Sequence, residues 1–281
     1  MISSNENLEL HLELQAAEGS LASFHTDKLN VYVYESRQQM SAAAAIAVAT
    51  EIRRLIAAHG KAIGLFTSVS SHNEFLDELV NADGIEWTRV IGFHQAEYLG
   101  MEEDAPQSLR RFLLDRLVRR IPMVEFHGIR GEAANPEAVC ANYAALLKTR
   151  PPDFAAVDIG ENGQLSFIDP SASDFDSQVE SRSAAVEVVE LNKVRRQQQV
   201  DDGAFANIED VPRCAISLTV PTMITCRSLF AIVSGERRQQ AVRDAIEGAI
   251  AESCPASILR THPNAHLFLD RECAADRKSV V

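Results

Sequence analysis

Between Leu29 and Asp270 short apolar runs alternate with longer amphipathic stretches, and few folds accommodate that alternation. Residues 29–34, 62–66, 87–93, 154–159, 186–191, 214–219, 229–233 and 265–270 have the length and the β-branched or aromatic content of strands. The spacing between them is helical. Ser36 predicts a cap for a helix running to about His59, with Gly60 at its end and Ala45, Ala49, Ile52 and Ile56 on the buried stripe. Ser108 predicts a second cap, with Leu109, Leu113 and Leu117 on one face. Asn135-Pro136 opens a third helix with Val139, Tyr143 and Leu147 inward, and 235–238 opens another to about Ala251. Strands joined through helices run parallel and need cover on both faces. The expectation is a single α/β domain over residues 29–270, with a mostly parallel, doubly wound, Rossmann-like sheet. Residues 1–28 read as a loosely attached N-terminal arm and 271–281 as a frayed tail.

Composition narrows the partners. The formal net charge of −13 argues against nucleic acid or an anionic membrane surface. An anionic ligand would need local arginines. Cys140, Cys214, Cys226, Cys254 and Cys273 are odd in number and scattered, without metal-ligand spacing. They read as small buried hydrophobes that form no disulfide, and no metal site is expected. The acidic N-terminus lacks the apolar core of a signal peptide, and no apolar run is long enough to span a membrane. A cytoplasmic location is the expectation, and a homo-oligomer is left open.

Residues 153–170 (DFAAVDIGENGQLSFIDP) carry the densest functional signal. An apolar strand runs into Gly160-Glu-Asn162-Gly163, where glycine permits the turn, and Asn162, Gln164 and Asp169 follow. In α/β proteins ligands bind beyond the carboxyl ends of the strands, so this is either an active-site loop or an ordinary polar turn. Residues 67–75 (TSVSSHNEF) place hydroxyls between a strand and a helix. Ser71 and Glu74 have capping-box spacing. The turn is either a phosphate cradle at a helix N-terminus or a plain serine-rich turn.

The order of these motifs resembles the glucosamine-6-phosphate deaminase/isomerase family. That family's loop reads Gly-Ile-Gly-x-Asp/Asn-Gly-His-x-x-Phe-Asn-Glu/Asp-Pro, and here Asp158-Ile-Gly160-Glu-Asn162-Gly163-Gln164-Leu-Ser-Phe167-Ile168-Asp169-Pro170 stands in its place. Thr67 and Ser70 match its phosphate loop, with Ser68 replacing glycine. Phe93, Glu97, Tyr98 and Gly100 match a Phe-x-x-Asp-Glu-Tyr-x-Gly segment in which Ala96 replaces the aspartate. Pro106 and Ser108 keep a further match, as does 255–262 (PASILRTH). Arg196 falls in the family's arginine-containing segment, and Arg238 stands where a phosphate-binding lysine is expected. Arginine keeps the charge and can bind phosphate through two parallel bonds.

The resemblance implies a sugar-phosphate ligand of the glucosamine 6-phosphate class, no metal and no organic cofactor. It implies phosphate contacts from Thr67, Ser68, Ser70, Ser71, Arg196 and Arg238. The catalytic positions it implies are Ala96, Glu97, Asn162, Gln164 and Asp169. Two of these have lost their chemistry: Ala96 accepts no proton, and Gln164 cannot titrate where the family has histidine. Weak or absent deaminase activity is therefore the expectation. His94, His72 and Glu97 are the candidates for substitute acid–base groups. Ile168, apolar on the same loop, is expected to crowd the sugar. A non-catalytic sensor or partner protein is the alternative, with 6-phosphogluconolactonase activity behind it. A transcription regulator would need a DNA-binding module, and residues 1–28 carry no basic helix.

Overall fold

A computed structural model describes residues 16–168 and 184–274. Among the described residues there are eleven strands: β1 (Ala22–Thr26), β2 (Leu29–Tyr34), β3 (Ala62–Phe66), β4 (Val90–His94), β5 (Ala96–Tyr98), β6 (Glu125–His127), β7 (Phe154–Val157), β8 (Val186–Glu190), β9 (Cys214–Leu218), β10 (Ser228–Val233) and β11 (Ala265–Asp270). The helices are α1 (Arg37–His59), α2 (Asn73–Val80), α3 (Leu109–Arg116), α4 (Pro136–Thr149), α5 (Lys193–Asp201), α6 (Val220–Ile224), α7 (Gln239–Glu247) and α8 (Arg271–Ala274).

Eight strands form one sheet in the order β1-β2-β11-β10-β7-β3-β4-β6, parallel except for the β1–β2 pair. The chain winds outward from β3 through β4 to β6, then returns to β7 on the other side of β3 and continues through β10 to β11. The switch of direction lies between β3 and β7, where an open α/β sheet parts its loops and leaves a crevice. The mostly parallel α/β domain expected from the alternation is what forms.

Side chains alternate across the sheet and split the core in two. Val31, Val33, Leu65, Ala231 and Leu267 face one layer, packed on α4 and α7. Tyr32, Tyr34, Phe66, Phe230 and Phe268 face the other, packed on α1, α2 and α3. Helix α1 has the caps its sequence demands. The Ser36 hydroxyl accepts from the Gln39 N–H, and Gly60 closes the helix at φ 75°, in the left-handed region glycine tolerates. Ser108 and Asn135 cap α3 and α4 in the same way.

The structure departs from the sequence reading at several points. Residues 22–26, read as part of a loose arm, pair antiparallel with β2 as an edge strand. Residues 87–89 are a 3-10 turn, and the strand begins only at Val90. Ser71 and Glu74 form no capping box: α2 starts at Asn73 without a side-chain cap, and Glu74 instead pairs with Arg37 at 2.6 Å. The helix after Arg238 stops at Gly248. The tail begins as α8, with Cys273 and Ala274 buried. All five cysteines are free thiols.

The largest departure is a second, three-stranded antiparallel sheet, β5-β9-β8, set beside the first. The runs that form β8 and β9 are expected from the sequence to join the parallel sheet, and the sequence carries no strand signal at β5. Glu97 shows why β5 exists. Its buried carboxylate accepts from the Tyr98 N–H at 2.9 Å, the Ser108 hydroxyl at 2.8 Å, the Leu109 N–H at 3.1 Å and the Arg110 N–H at 2.8 Å. It therefore satisfies the open N–H groups of α3 and ties β5 to that helix. Burial pushes its pKa up, against the pull of the four donors. A residue expected to be catalytic is here the fastener of a helix N-terminus.

Two stability changes follow. A Cβ on Gly64 would lie 2.3 Å from the ring of Phe154 on the neighbouring strand. Gly64→Ala should cost about 1–3 kcal/mol through overpacking, read as a lower midpoint in thermal or urea unfolding. Glu97→Ala should cost upwards of about 2 kcal/mol, because several buried donors lose their acceptor at once. Glu97→Gln, which keeps one carbonyl oxygen, should fall between the two in the same melt.

Candidate functional site

The parallel strands deliver their carboxyl ends to one cavity of about 340 Å³. β3 ends in Thr67-Ser68-Val69-Ser70, β4 in Gln95-Ala96, β7 in Asp158-Ile159-Gly160, and β10 in the turn that leads to Arg238. Helix α5 and the 160–167 loop close the opposite wall.

The turn after β3 suits an anion. The Thr67 N–H is used by the Ala156 carbonyl and the His72 N–H by the Val69 carbonyl, whereas those of Ser68, Val69 and Ser70 meet no carbonyl. The Ser68 hydroxyl is buried without a hydrogen-bond partner. Thr67 donates its hydroxyl to Gln95 Oε1. Arg37 of α1 braces the turn by donating to the Ser70 carbonyl at 2.7 Å. Ser71 is turned away from the cavity, with its buried hydroxyl also without a partner.

Arg238 reaches the cavity from the turn after β10. Its guanidinium donates to the Ile159 carbonyl at 3.1 Å, the Ser234 carbonyl at 3.4 Å and Asp158 Oδ2 at 3.4 Å. The Asp158 carboxylate holds the guanidinium above its usual pKa. Arg196 lies elsewhere. It points to the far side of α5 and donates to the carbonyls of Ile208 and Val211. Its neighbour Arg195 lines the cavity, 4.6 Å above the Phe167 ring and bonded to the Ser166 carbonyl at 2.5 Å. Arg195 and Gln199 stand four residues apart, on one helix face.

Gln164 lines the cavity with its Oε1 buried and without a partner. Its side chain lies against Gly160, where a Cβ would come within 2.2 Å of Gln164 Nε2. Ala96 also lines the cavity, on the same strand face as Tyr98. Asn162 does not. Its Oδ1 accepts from the Gln164 N–H at 3.3 Å and shapes the loop. Ile168 does not crowd the cavity either: it is buried in the main core beside Leu165. Asp169 lies outside the described residues. Ser166 adopts φ 56°, a left-handed conformation costly for a residue with a side chain, and its hydroxyl bonds Ser217 at 2.9 Å. Tyr98, Phe112 and Phe167 supply an aromatic wall, with Tyr98 anchored by its hydroxyl to Gln199 at 2.6 Å.

Neither candidate histidine reaches the cavity. His94 is fully buried, both ring nitrogens lack a partner, and burial pushes its pKa down to about 3, so the ring is neutral. His72 sits behind the turn, edge-on to Phe75 with Nε2 3.3 Å from the Ile232 carbonyl, and burial lowers its pKa. Among the described residues the ionisable groups lining the cavity are Asp158, Glu161, Asp202, Arg195, Arg238 and the Tyr98 phenol. Sequence reasoning missed Asp158, Glu161, Asp202, Arg195 and Gln95. Among the described residues no His, Cys, Asp and Glu side chains group to hold a metal ion, and no helix is long and apolar enough to cross a membrane.

The chain resembles known proteins over most of its length. A family model for glucosamine-6-phosphate isomerases/6-phosphogluconolactonase matches residues 35–268. A glucosamine-6-phosphate deaminase of Streptococcus pneumoniae is 33% identical over 228 residues, covering 80% of this chain and 92% of the relative. One from an Exiguobacterium species is 29% identical over 222 residues, covering 79% and 83%. A solved monomeric glucosamine-6-phosphate deaminase shares the fold with a TM-score of 0.78 at 24% identity, over 88% of this chain and 99% of that one. A 6-phosphogluconolactonase from Shewanella baltica does so at 0.67 and 18%, over 85% and 96%. The family match runs through both walls of the cavity and spans most of the sequence, and the chain belongs to the glucosamine-6-phosphate isomerase/6-phosphogluconolactonase family.

Proposed function

We propose that the protein binds a sugar phosphate of the glucosamine 6-phosphate class in the cavity at the β3–β7 switch, and that it is a very poor deaminase. The observation that carries the binding half is a set of three buried polar atoms without partners, all on cavity-lining residues: the Ser68 hydroxyl, Gln164 Oε1 and Asp158 Oδ1. Buried polar groups are rarely left unpaired, because each carries its full desolvation cost. A polyhydroxylated ligand would satisfy all three. Its phosphate belongs at the turn after β3, where N–H groups point outward and two hydroxyls converge. Its ring belongs against the aromatic wall, and Arg195 closes over the far end.

The chemistry half follows from what lines the cavity. Moving a proton between neighbouring sugar carbons needs an ionised base within reach, and opening the ring needs a group that exchanges protons near neutrality. Position 96 offers a methyl group and position 164 an amide. His94 and His72 are both buried away from the cavity. Glu97 is engaged by four donors on the other side of β5. The cavity's carboxylates are held in ion pairs, Asp158 with Arg238 and Glu161 and Asp202 with Arg237, and each lost acid–base group costs about 10²–10⁴-fold in rate, so binding without appreciable turnover is the consistent outcome.

Calorimetric titration with glucosamine 6-phosphate should show binding that weakens at least about tenfold in Arg195→Ala, a loss expected of a charged contact to the ligand. Ammonia release by the wild type should sit near background. Ala96→Asp combined with Gln164→His should raise it above the wild type and above either single change, because the two groups serve one sequence of steps. Robust wild-type ammonia release would overturn the poor-deaminase reading. No binding of glucosamine 6-phosphate at millimolar concentration would overturn the binding reading.

A further inference from the structure

We infer that Asp158 is a specificity-determining residue, the standing counter-anion of Arg238 that weakens the cavity's hold on a phosphate dianion and favours a hydrogen-bond donor at that corner. This rests on the reading that a sugar phosphate enters the cavity. It adds that the affinity for the charged part of such a ligand is set from within.

Asp158 closes β7 and is 7% exposed, so its carboxylate is nearly as buried as the strand that carries it. One oxygen, Oδ2, faces Arg238 at 3.4 Å. The other, Oδ1, is buried with no donor in reach, on a residue that lines the cavity. The carboxylate is not needed to hold Arg238 in place, because the Ile159 and Ser234 carbonyls already accept from Nε and Nη1. What it adds is charge. A guanidinium with a permanent carboxylate partner has less attraction left for an incoming anion, and a phosphate oxygen at that corner would face Oδ1 across a like-charge contact. Like charges brought together at a recognition site are strongly disfavoured. A ligand hydroxyl or ammonium would instead supply the donor that Oδ1 lacks.

The surroundings sharpen the effect. The cavity is lined by three carboxylates, Asp158, Glu161 and Asp202, against two guanidiniums, Arg195 and Arg238. Arg237, just outside, is held by Asp202 at 3.2 Å and Glu161 at 3.8 Å. The hydroxyl turn after β3 thus invites an anion while the Arg238 corner resists a doubly charged one.

Asp158→Asn keeps the shape and one acceptor oxygen while removing the charge. Wild type and variant would be titrated with inorganic phosphate, glucosamine 6-phosphate and glucose under one buffer and salt condition. The expected result is at least about tenfold tighter binding of both phosphates by the variant, with glucose no tighter. Asp158→Gly should move the same way, and it keeps the test decisive if the asparagine variant melts early. Unchanged or weaker phosphate binding in both variants, with the wild type binding normally, would overturn the inference and leave the sugar-phosphate reading standing. Parallel changes for charged and uncharged ligands would also overturn it, because they would mark a purely structural role. If neither wild type nor variants bind either phosphate, the inference and the sugar-phosphate reading fall together.

Discussion

Strands β3 and β7 pair over three residue pairs, Gly64 with Phe154, Leu65 with Ala155 and Phe66 with Ala156, and the rest of the site hangs from that short join. It is where the chain reverses its direction of travel across the sheet. A sheet covered on both faces leaves its loops as the only polar surface over the core, and at a reversal those loops separate. Each pair of the join sets a small residue against a large one, and the Phe154 ring lies against the bare Cα of Gly64. Once β3 and β7 are in register, the turn that starts at Thr67 and the Asp158 carboxylate both emerge at the carboxyl edge. Pairing β3 with β4 on its other flank brings Gln95 to bond Thr67.

The cavity built on this edge has a split electrostatic character. One side presents unpaired N–H groups and a hydroxyl, the other a buried ion pair and a surplus of carboxylates. Burial makes both features strong, because a buried charge or an unpaired dipole is poorly screened. The ionisable residues that look catalytic along the chain have been absorbed into structure. Glu97 fastens α3, and the His94 and His72 rings are buried in the core, where burial lowers the pKa of each. Beside its carboxylates and guanidiniums, the cavity is lined by amides, hydroxyls and aromatic faces.

Alternation along β5 illustrates how finely this is decided. Ala96 and Tyr98 face the cavity while Glu97, between them, faces α3. A strand sends successive side chains to opposite sides, so one residue's difference separates a cavity-lining side chain from a helix cap. The same holds on α5, where Arg195 and Arg196 differ by about 100° of helical turn. The first lies over Phe167 in the cavity wall, and the second is bonded to backbone carbonyls beyond it.

The sequence by itself determined the order and type of most elements, the caps at Ser36, Gly60, Ser108 and Asn135, and the sites at the strand ends around Thr67, Ala96 and Gln164. These are local properties: hydrophobic period, cap chemistry and glycine punctuation act within a few residues. Only the tertiary structure decided that β5, β8 and β9 leave the main sheet, that residues 22–26 join it, and that Ser71 caps no helix and faces away from the cavity. It also decided that Arg195 rather than Arg196 meets the cavity, and that Asp158 and Arg238, 80 residues apart, share one corner. Periodicity states which residues share a face but not what that face is turned toward. That orientation comes from strand pairing between distant segments, and no short stretch of this chain encodes it.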